Sequence, residues 1–436
     1  MRPRQSKPKL LQAMIDAFSL PDLRRRILIT LGVLVIFRFV AHIPLPGVDL
    51  DALKQLFESN ALLGMFDLFS GGAMKRLSVA AMGVYPYITA SIIMMLLVPV
   101  IPRLQAISQE GEAGRNKINL ITHWATVPLA AISGYGQLVL LQRQGVYTNL
   151  ETLPMIASVA SMVAGTMFLV WLGELITQYG IGNGISIIIF GGIVAGMPSL
   201  VQQGFLAKDN FIGLVVYLAM VLITIAVIVI FTEAHRRIPV QYAKSIFRSG
   251  RMYRQSGSSH IPMRVNSSGM IPLIFAMSMV IFPSIVASYF VKPEAPGFAD
   301  MVVRMFSPDT ALPLGLFYWV LFFGLAIGFT FFYTMVVYQQ QDLPGTLQKQ
   351  GGFIPGIRPG KNTTAYLNGV INRITWAGAL FLAGIAVMPF VARTISNVQV
   401  IQLSSLGLLI MVGVILDTMK QLEAQLVMRR YEGFIK

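Results

Sequence analysis

The side chains able to do chemistry are few in this sequence and poorly spaced for it. His42, His123, His235 and His260 are scattered with no pair at ligand spacing, and no cysteine is present to supply a thiolate, a disulfide or a nucleophile. Residues 356–361 end in Gly360-Lys361, but Asn362 follows where a phosphate-cradling loop needs serine or threonine, and Pro355 takes the place of its upstream glycine. Gly180, Gly182 and Gly184 imitate a dinucleotide-binding turn, yet they precede a long apolar run and no βαβ pattern surrounds them. His-Glu-x-x-His and Gly-x-Ser-x-Gly are absent, and no carboxylate pair falls inside an apolar run. Arg38, Glu174 and Asp417 stand near the ends of such runs, where interfacial snorkelling or a structural ion pair accounts for them. The expectation is a protein that is not an enzyme and holds no cofactor and no metal. An ion-coupled secondary transporter of a small solute is the alternative, disfavoured because it needs ionisable groups near the midplane, although backbone carbonyls at helix breaks still offer cation ligands.

What remains are aliphatic side chains at helical spacing. Val84 and Ile88 lie four apart around Pro86, which is expected to loosen that helix, and Ile185 and Ile189 lie four apart just after the glycine-rich turn. Taken singly, each is read as facing lipid or a neighbouring helix. Their meaning depends on the elements that carry them.

Those elements are membrane spans. The 436 residues are 55% hydrophobic and 12% charged, where a soluble protein carries about 25% charged residues. Ten spans are expected near 27–43, 77–98, 118–142, 153–173, 183–203, 211–232, 270–290, 312–338, 371–392 and 400–419. The first starts at Ile27, too late and too long for the apolar core of a cleavable signal peptide. Residues 1–26 are basic, with Leu10, Leu11, Met14, Ile15 and Phe18 on one helical face, as expected of a helix lying along a membrane surface. With ten spans, 25 of the 34 lysines and arginines fall on the side of both termini, which places the termini in the cytoplasm. The glycosylation sequons at Asn266 and Asn362 then lie on that same side and are discounted. Two halves of five spans each invite an inverted repeat. The expected organisation is a tail at 1–26, halves at 27–203 and 204–419, and a cytoplasmic tail at 420–436.

One stretch does not fit a simple span. Residues 62–69 are mostly apolar but far too short to cross a bilayer, which takes about 20 residues. Gly71-Gly72 breaks the run and Lys75-Arg76 marks an aqueous boundary. Such a half-segment has unpaired backbone ends and must be buried in protein or lie in a cavity. It is read as a stopper on the external side. Two long basic connections face the cytoplasm. Residues 233–269 alternate apolar and polar stretches as a hairpin would, and residues 339–370 contain a run rich in glycine and proline that puts Arg358 on a stiff loop tip. Together they read as a docking surface.

The stretches MFDLFSGG, MGVYPYITASII, QYGIGNGISIIIFGGIVAG, RRIPVQYAK, IPLIFA, GGFIPGIRPG and ILDTMKQLEAQLVMRRYEGF closely resemble the SecY family, the central subunits of bacterial protein-conducting channels, and the likeness runs over essentially the whole chain. The resemblance implies an all-α polytopic membrane protein, with ten transmembrane helices in two inverted five-helix halves around a central pore and a half-helix plug. It implies a pore constriction of Val84, Ile88, Ile185, Ile189, Ile274 and Ile410, and a plug carrying Leu62, Leu63, Met65, Phe66, Leu68, Phe69, Gly71 and Gly72. The implied lateral gate holds Ser91 and Met95 on one span and Ser278 and Phe282 on another. Arg358, with Arg251, Arg254 and Arg248, is implied as the contact for the SecA ATPase and the ribosome. The implied partners also include SecE, SecG, signal peptides, nascent polypeptides and the phospholipid of the bacterial plasma membrane. Two departures stand out: Met95 replaces a glutamine found in many members, and Gly250-Arg251 replaces a pair of arginines, with Arg248 or Arg254 near enough to compensate.

Overall fold

The computed structural model describes residues 20–49, 51–53, 56, 70–143, 145–146, 152–206, 211–248, 251–288, 290, 297–308, 310, 313–396 and 405–432. The surface helix expected in the first 19 residues and the half-segment 62–69 lie outside the described residues. Among the described residues ten helices of 16 residues or more follow one another along the sites of the ten expected spans: α1 (Pro21–Val40), α2 (Tyr85–Val100), α4 (Glu112–Arg143), α5 (Thr152–Tyr179), α6 (Gly184–Leu206), α7 (Phe211–Glu233), α8 (Ile271–Ser288), α10 (Gly315–Gln341), α12 (Lys361–Ser396) and α13 (Ser405–Glu432). Shorter helices are α3 (Pro102–Gln109), α9 (Phe298–Met305) and α11 (Leu343–Lys349). By length and apolar character α4, α5, α7, α10 and α12 each suffice to cross a bilayer. The chain is an all-α polytopic membrane protein, and among its described residues one small sheet lies between α7 and α12 in the sequence.

The chain divides into two compact units, residues 1–206 with 410–436 and residues 207–409. In the first unit α4 packs on α2 and α5, α5 on α6, and α1 on α5. Pro21 opens α1 at its first helical positions and Asp22 stands in its first turn, where the missing N–H and the negative charge are both favourable. The helix therefore begins six residues before the apolar run at Ile27 that marked the span in the sequence.

The second span differs from its expected form. Residues 77–84 are turns, entered by Leu77 at φ +40° and left through Gly83 at φ +56°, and the helix starts only at Tyr85. Pro86 thus sits in the first turn, where its missing donor costs nothing, and does not loosen a helix interior. Packing explains the turns. Leu77, Ala81 and Met82 fill a core with Ala130 and Leu138 of α4 and Met162 of α5, closed by Leu45 and Leu53. The strand-like backbone is paired too: Leu45 N–H donates to the Leu77 carbonyl (2.9 Å) and Val79 N–H to that of Ile43 (3.0 Å). Gly165 of α5 lets this turn approach, because a Cβ there would lie 2.1 Å from the Val79 carbonyl oxygen. At its far end α2 passes Pro99 and turns by 99° into α3.

The second unit is built on α12, which packs along α10 and α7, while α8 packs on α10. The connection between α7 and α8 is the hairpin that its alternating pattern suggested, β1 (His235–Arg248) antiparallel to β2 (Arg251–Arg264). The connection between α10 and α12 folds back on it. Its short strand β3 (Gly352–Phe353) extends the sheet in the order β2-β1-β3, with Gln241 opposite Phe353 and Tyr242 opposite Gly352. Ile238, Val240, Leu347, Ile354, Leu367 and Val370 form the core beneath that junction.

Gly165→Val should cost about 1–3 kcal/mol by overpacking α5 against the turn, seen as a lower apparent Tm of the detergent-purified protein. Gly324→Ala, in α10 with nothing within 4 Å of its Cβ site, is the control expected to leave Tm unchanged.

Candidate functional site

The aliphatic residues singled out by spacing are interior residues. Val84 is 0% exposed, Ile189 3%, Ile274 3% and Ile410 2%, which rules out a lipid-facing position for these four. Ile88 and Ile185 are half-buried. Val84 caps α2 one turn before Ile88, and Ile185 and Ile189 occupy successive turns at the start of α6. Gly182 at φ +83° supplies the left-handed step that lets α6 begin at Gly184, and Gly184 meets α5 so closely that a Cβ would lie 1.7 Å from the Gly173 carbonyl oxygen. Val84, Ile88, Ile185, Ile189 and Ile410 belong to the first unit and Ile274 to the second. Of the gate candidates, Ser91 and Met95 are half-buried on α2, Ser278 donates its hydroxyl to the Ile274 carbonyl (2.9 Å) within α8, and Phe282 is exposed.

Leu62, Leu63, Met65, Phe66, Leu68 and Phe69 lie outside the described residues, but the end of that segment is held by α1 and α6. Arg38, in the last turn of α1, donates from Nη1 to the carbonyl oxygen of Gly71 at 2.6 Å. Gly71 has φ +67° and lies so near its neighbours that a Cβ would come 2.7 Å from the Cα of Gly192 in α6 and 2.8 Å from the Phe37 ring. Gly72 continues at φ +84°, and the buried Ser70 hydroxyl accepts from the Met74 N–H (3.0 Å). Any side chain at 71 would force the two backbones apart. Sequence reasoning missed both Arg38 and Gly192 as partners. The signals were a cation one turn from the end of a span and a paired Gly191-Gly192 inside another, which permits close backbone approach.

Glu174 is likewise tied to protein. His123 Nε2 of α4 lies 3.2 Å from Glu174 Oε1 of α5, off-line for a hydrogen bond, and the Tyr87 ring of α2 stands 5.5 Å from the imidazole. Asp417 is exposed on α13. Among the described residues no group of three or more His, Asp or Glu is placed to hold a metal ion.

The basic loops form a ledge, not a single patch. Arg358 is exposed on a tip whose flanking Ile354 and Ile357 are anchored in the core under β3. Gly356 (φ +82°) and Gly360 (φ +101°) make its turns, and Thr363 donates its hydroxyl to the Arg358 carbonyl (3.1 Å). Arg248 faces Arg251 in the ladder and Arg254 faces Ser245, so these three occupy the free end of the hairpin. That end is six residues beyond Tyr242, where β3 joins, or about 20 Å along an extended strand.

Comparison with known proteins agrees with this architecture. The family model described as SecY matches residues 78–419. The chain is 42% identical over 440 residues to the protein translocase subunit SecY of Halalkalibacterium halodurans, covering 98% of this chain and 100% of the relative. It is 40% identical to that of Thermotoga maritima, covering 98% of each. Among solved structures it resembles "The structure of a protein conducting channel" (TM-score 0.63, 15% identity, 95% of this chain and 97% of that one). It also resembles "Sec61 in the Canine ribosome-channel complex from the endoplasmic reticulum" (TM-score 0.63, 15% identity, 97% and 98%). Motifs, helix order and full-length identity lead to one assignment: the chain belongs to the SecY family.

Proposed function

We propose that this chain is the pore-forming subunit of a Sec translocon, a passive channel for secretion of polypeptides across the bacterial plasma membrane and for lateral release of membrane segments into it. The full-length identity of about 40% to translocase subunits carries this reading. The constriction is assigned to Val84, Ile88, Ile185, Ile189, Ile274 and Ile410. Its support is the burial of four of them away from lipid and the chemistry of the side chains. Aliphatic groups make no hydrogen bonds that would hold a particular sequence, and an apolar constriction gates ions by dewetting. The plug is assigned to the segment 62–72, tethered by the Arg38–Gly71 hydrogen bond.

Release sideways is assigned to the helices bearing Ser91 and Met95, and Ser278 and Phe282. Sorting there is a partition equilibrium: a segment of about 20 apolar residues leaves for lipid, whereas a charge at its centre costs about 2.5–3.5 kcal/mol. Both termini are assigned to the cytoplasm from the distribution of basic residues. The basic ledge then faces the cytoplasm, and Arg358, Arg248, Arg251 and Arg254 are assigned to the SecA motor and the ribosome, which supply the energy. Two structurally similar channels are described with ribosomes, the canine Sec61 and the yeast Ssh1 complexes. SecE and SecG complete the proposed assembly.

Photo-crosslinkers at positions 88, 274 and 410 should each capture a stalled secretory chain. Absence of adducts from all three overturns the pore assignment. Ile410→Asn and Ile274→Asn should raise ion conductance of the idle channel in planar bilayers by wetting the constriction. Arg38→Met should raise it independently, since a hydrogen bond to a charged group is worth about 1.5–3 kcal/mol and its loss frees the tether about tenfold or more. Arg358→Glu should weaken motor-driven transport and ribosome binding while Tm stays unchanged, because the side chain is exposed. Normal binding and transport in that variant would remove the ledge from the docking surface.

A further inference from the structure

Helix α9 has an apolar edge whose outer part, Phe298 and Met301, no other described residue covers, while Val302 and Met305 are half-buried. Phe298, Met301, Val302 and Met305 recur at i, i+3, i+4 and i+7, which gathers them on one face. None of the eight residues of α9 is buried, and Phe298 is 82% and Met301 55% exposed. The polar residues border this face on one side: Asp300 and Arg304 pair across one turn, Oδ2 to Nε at 3.0 Å, with Arg304 well exposed.

The position of α9 says what covers that edge. Helix α8 starts seven residues after the hairpin ends, so its first turn belongs to the hairpin side of the membrane. Its 18 residues rise about 27 Å, close to the roughly 30 Å of bilayer hydrocarbon. The chain therefore reaches α9 at the opposite boundary. There α9 packs on both α8 and α10 of its own unit, and α10 is long and apolar enough to cross a bilayer. Its seat is fixed: Phe306 meets Phe317 of α10 edge-on at 5.3 Å, and Thr310 donates its hydroxyl to the Arg304 carbonyl (2.6 Å). The neighbouring Phe290, Leu316 and Val320 are exposed as well. The exposed edge of α9 thus belongs to the same end of α8 and α10 as these exposed apolar residues.

We propose that α9 is a membrane-surface anchor, whose Phe298–Met301 edge sinks into the boundary between phospholipid head groups and acyl chains on the side remote from the hairpin. Arg304 sits beside Met301 on the helical wheel and reaches outward to the lipid phosphates while its stem covers apolar surface. A short amphipathic helix so placed ties the outer ends of α8 and α10 to the plane of the membrane.

The chain has no cysteine, so single labelling sites are available without altering any native thiol. Nitroxide labels on Phe298→Cys, Met301→Cys and Arg304→Cys, with Phe290→Cys as the lipid-facing reference, are compared in the full channel complex in phospholipid vesicles. The readout is collision with oxygen against collision with a water-soluble nickel chelate. The expected ratio of oxygen to nickel collisions at 298 and 301 approaches that at 290 and exceeds that at 304 several-fold. Equal, nickel-dominated collisions at 298, 301 and 304 overturn the proposal in favour of a solvated helix. Labels at 298 and 301 that collide with neither reagent overturn it in favour of a protein partner covering the same edge.

Discussion

Backbone that leaves helical geometry among apolar helices has no water to bond to, and everything distinctive in this chain depends on how that need is met. Most of the molecule meets it trivially, by helices that pair their own groups. Residues 70–84 cannot. They are turned, partly left-handed, and linked to the rest of the first unit by bonds from Arg38 to Gly71 and between residues 43–45 and 77–79. A buried amide or carbonyl left unmatched costs about 1–3 kcal/mol. The two glycines at 71 and 192, with nothing between their backbones, keep these bonds within reach. A charged guanidinium at the end of a span, otherwise a liability, becomes the donor that lets a non-helical segment stay inside.

The spans were legible because hydropathy reports burial in lipid, and nothing else yields ten long apolar runs. Their limits were less legible where composition and conformation part company. Residues 77–84 are as apolar as a helix, but their partners are Ala130, Leu138 and Met162 on other helices, a tertiary fact with no local signal. Leu77 in the left-handed region is the extreme case, since no rule of propensity places a leucine there. The hairpin was legible from alternation. The two-residue strand that joins it was not, because Gly352-Phe353 has too few residues for any period to show. The His123–Glu174 contact escaped notice for a similar reason: 51 positions separate the partners, and only the packing of α4 on α5 brings them together.

The candidate residues divide by how much their own chemistry says. Arg358 announced itself, because a cation between Pro355 and Pro359 has few places to go except outward. The aliphatic set said almost nothing alone. Isoleucine is the commonplace residue of a span, and only its burial at 189, 274 and 410, together with membership of the SecY family, separates these positions from the many that face lipid.

The pairing of β3 with β1 has a mechanical consequence. Two loops that emerge from different helix pairs are stitched by a ladder and a common apolar core, so neither is an independent tether. A load applied at the Arg358 tip or at the hairpin is spread over the ends of α7, α8, α10 and α12 together. The junction gives the two loops one shared footing on four helices of one unit, while the hairpin end that carries Arg248, Arg251 and Arg254 extends past it.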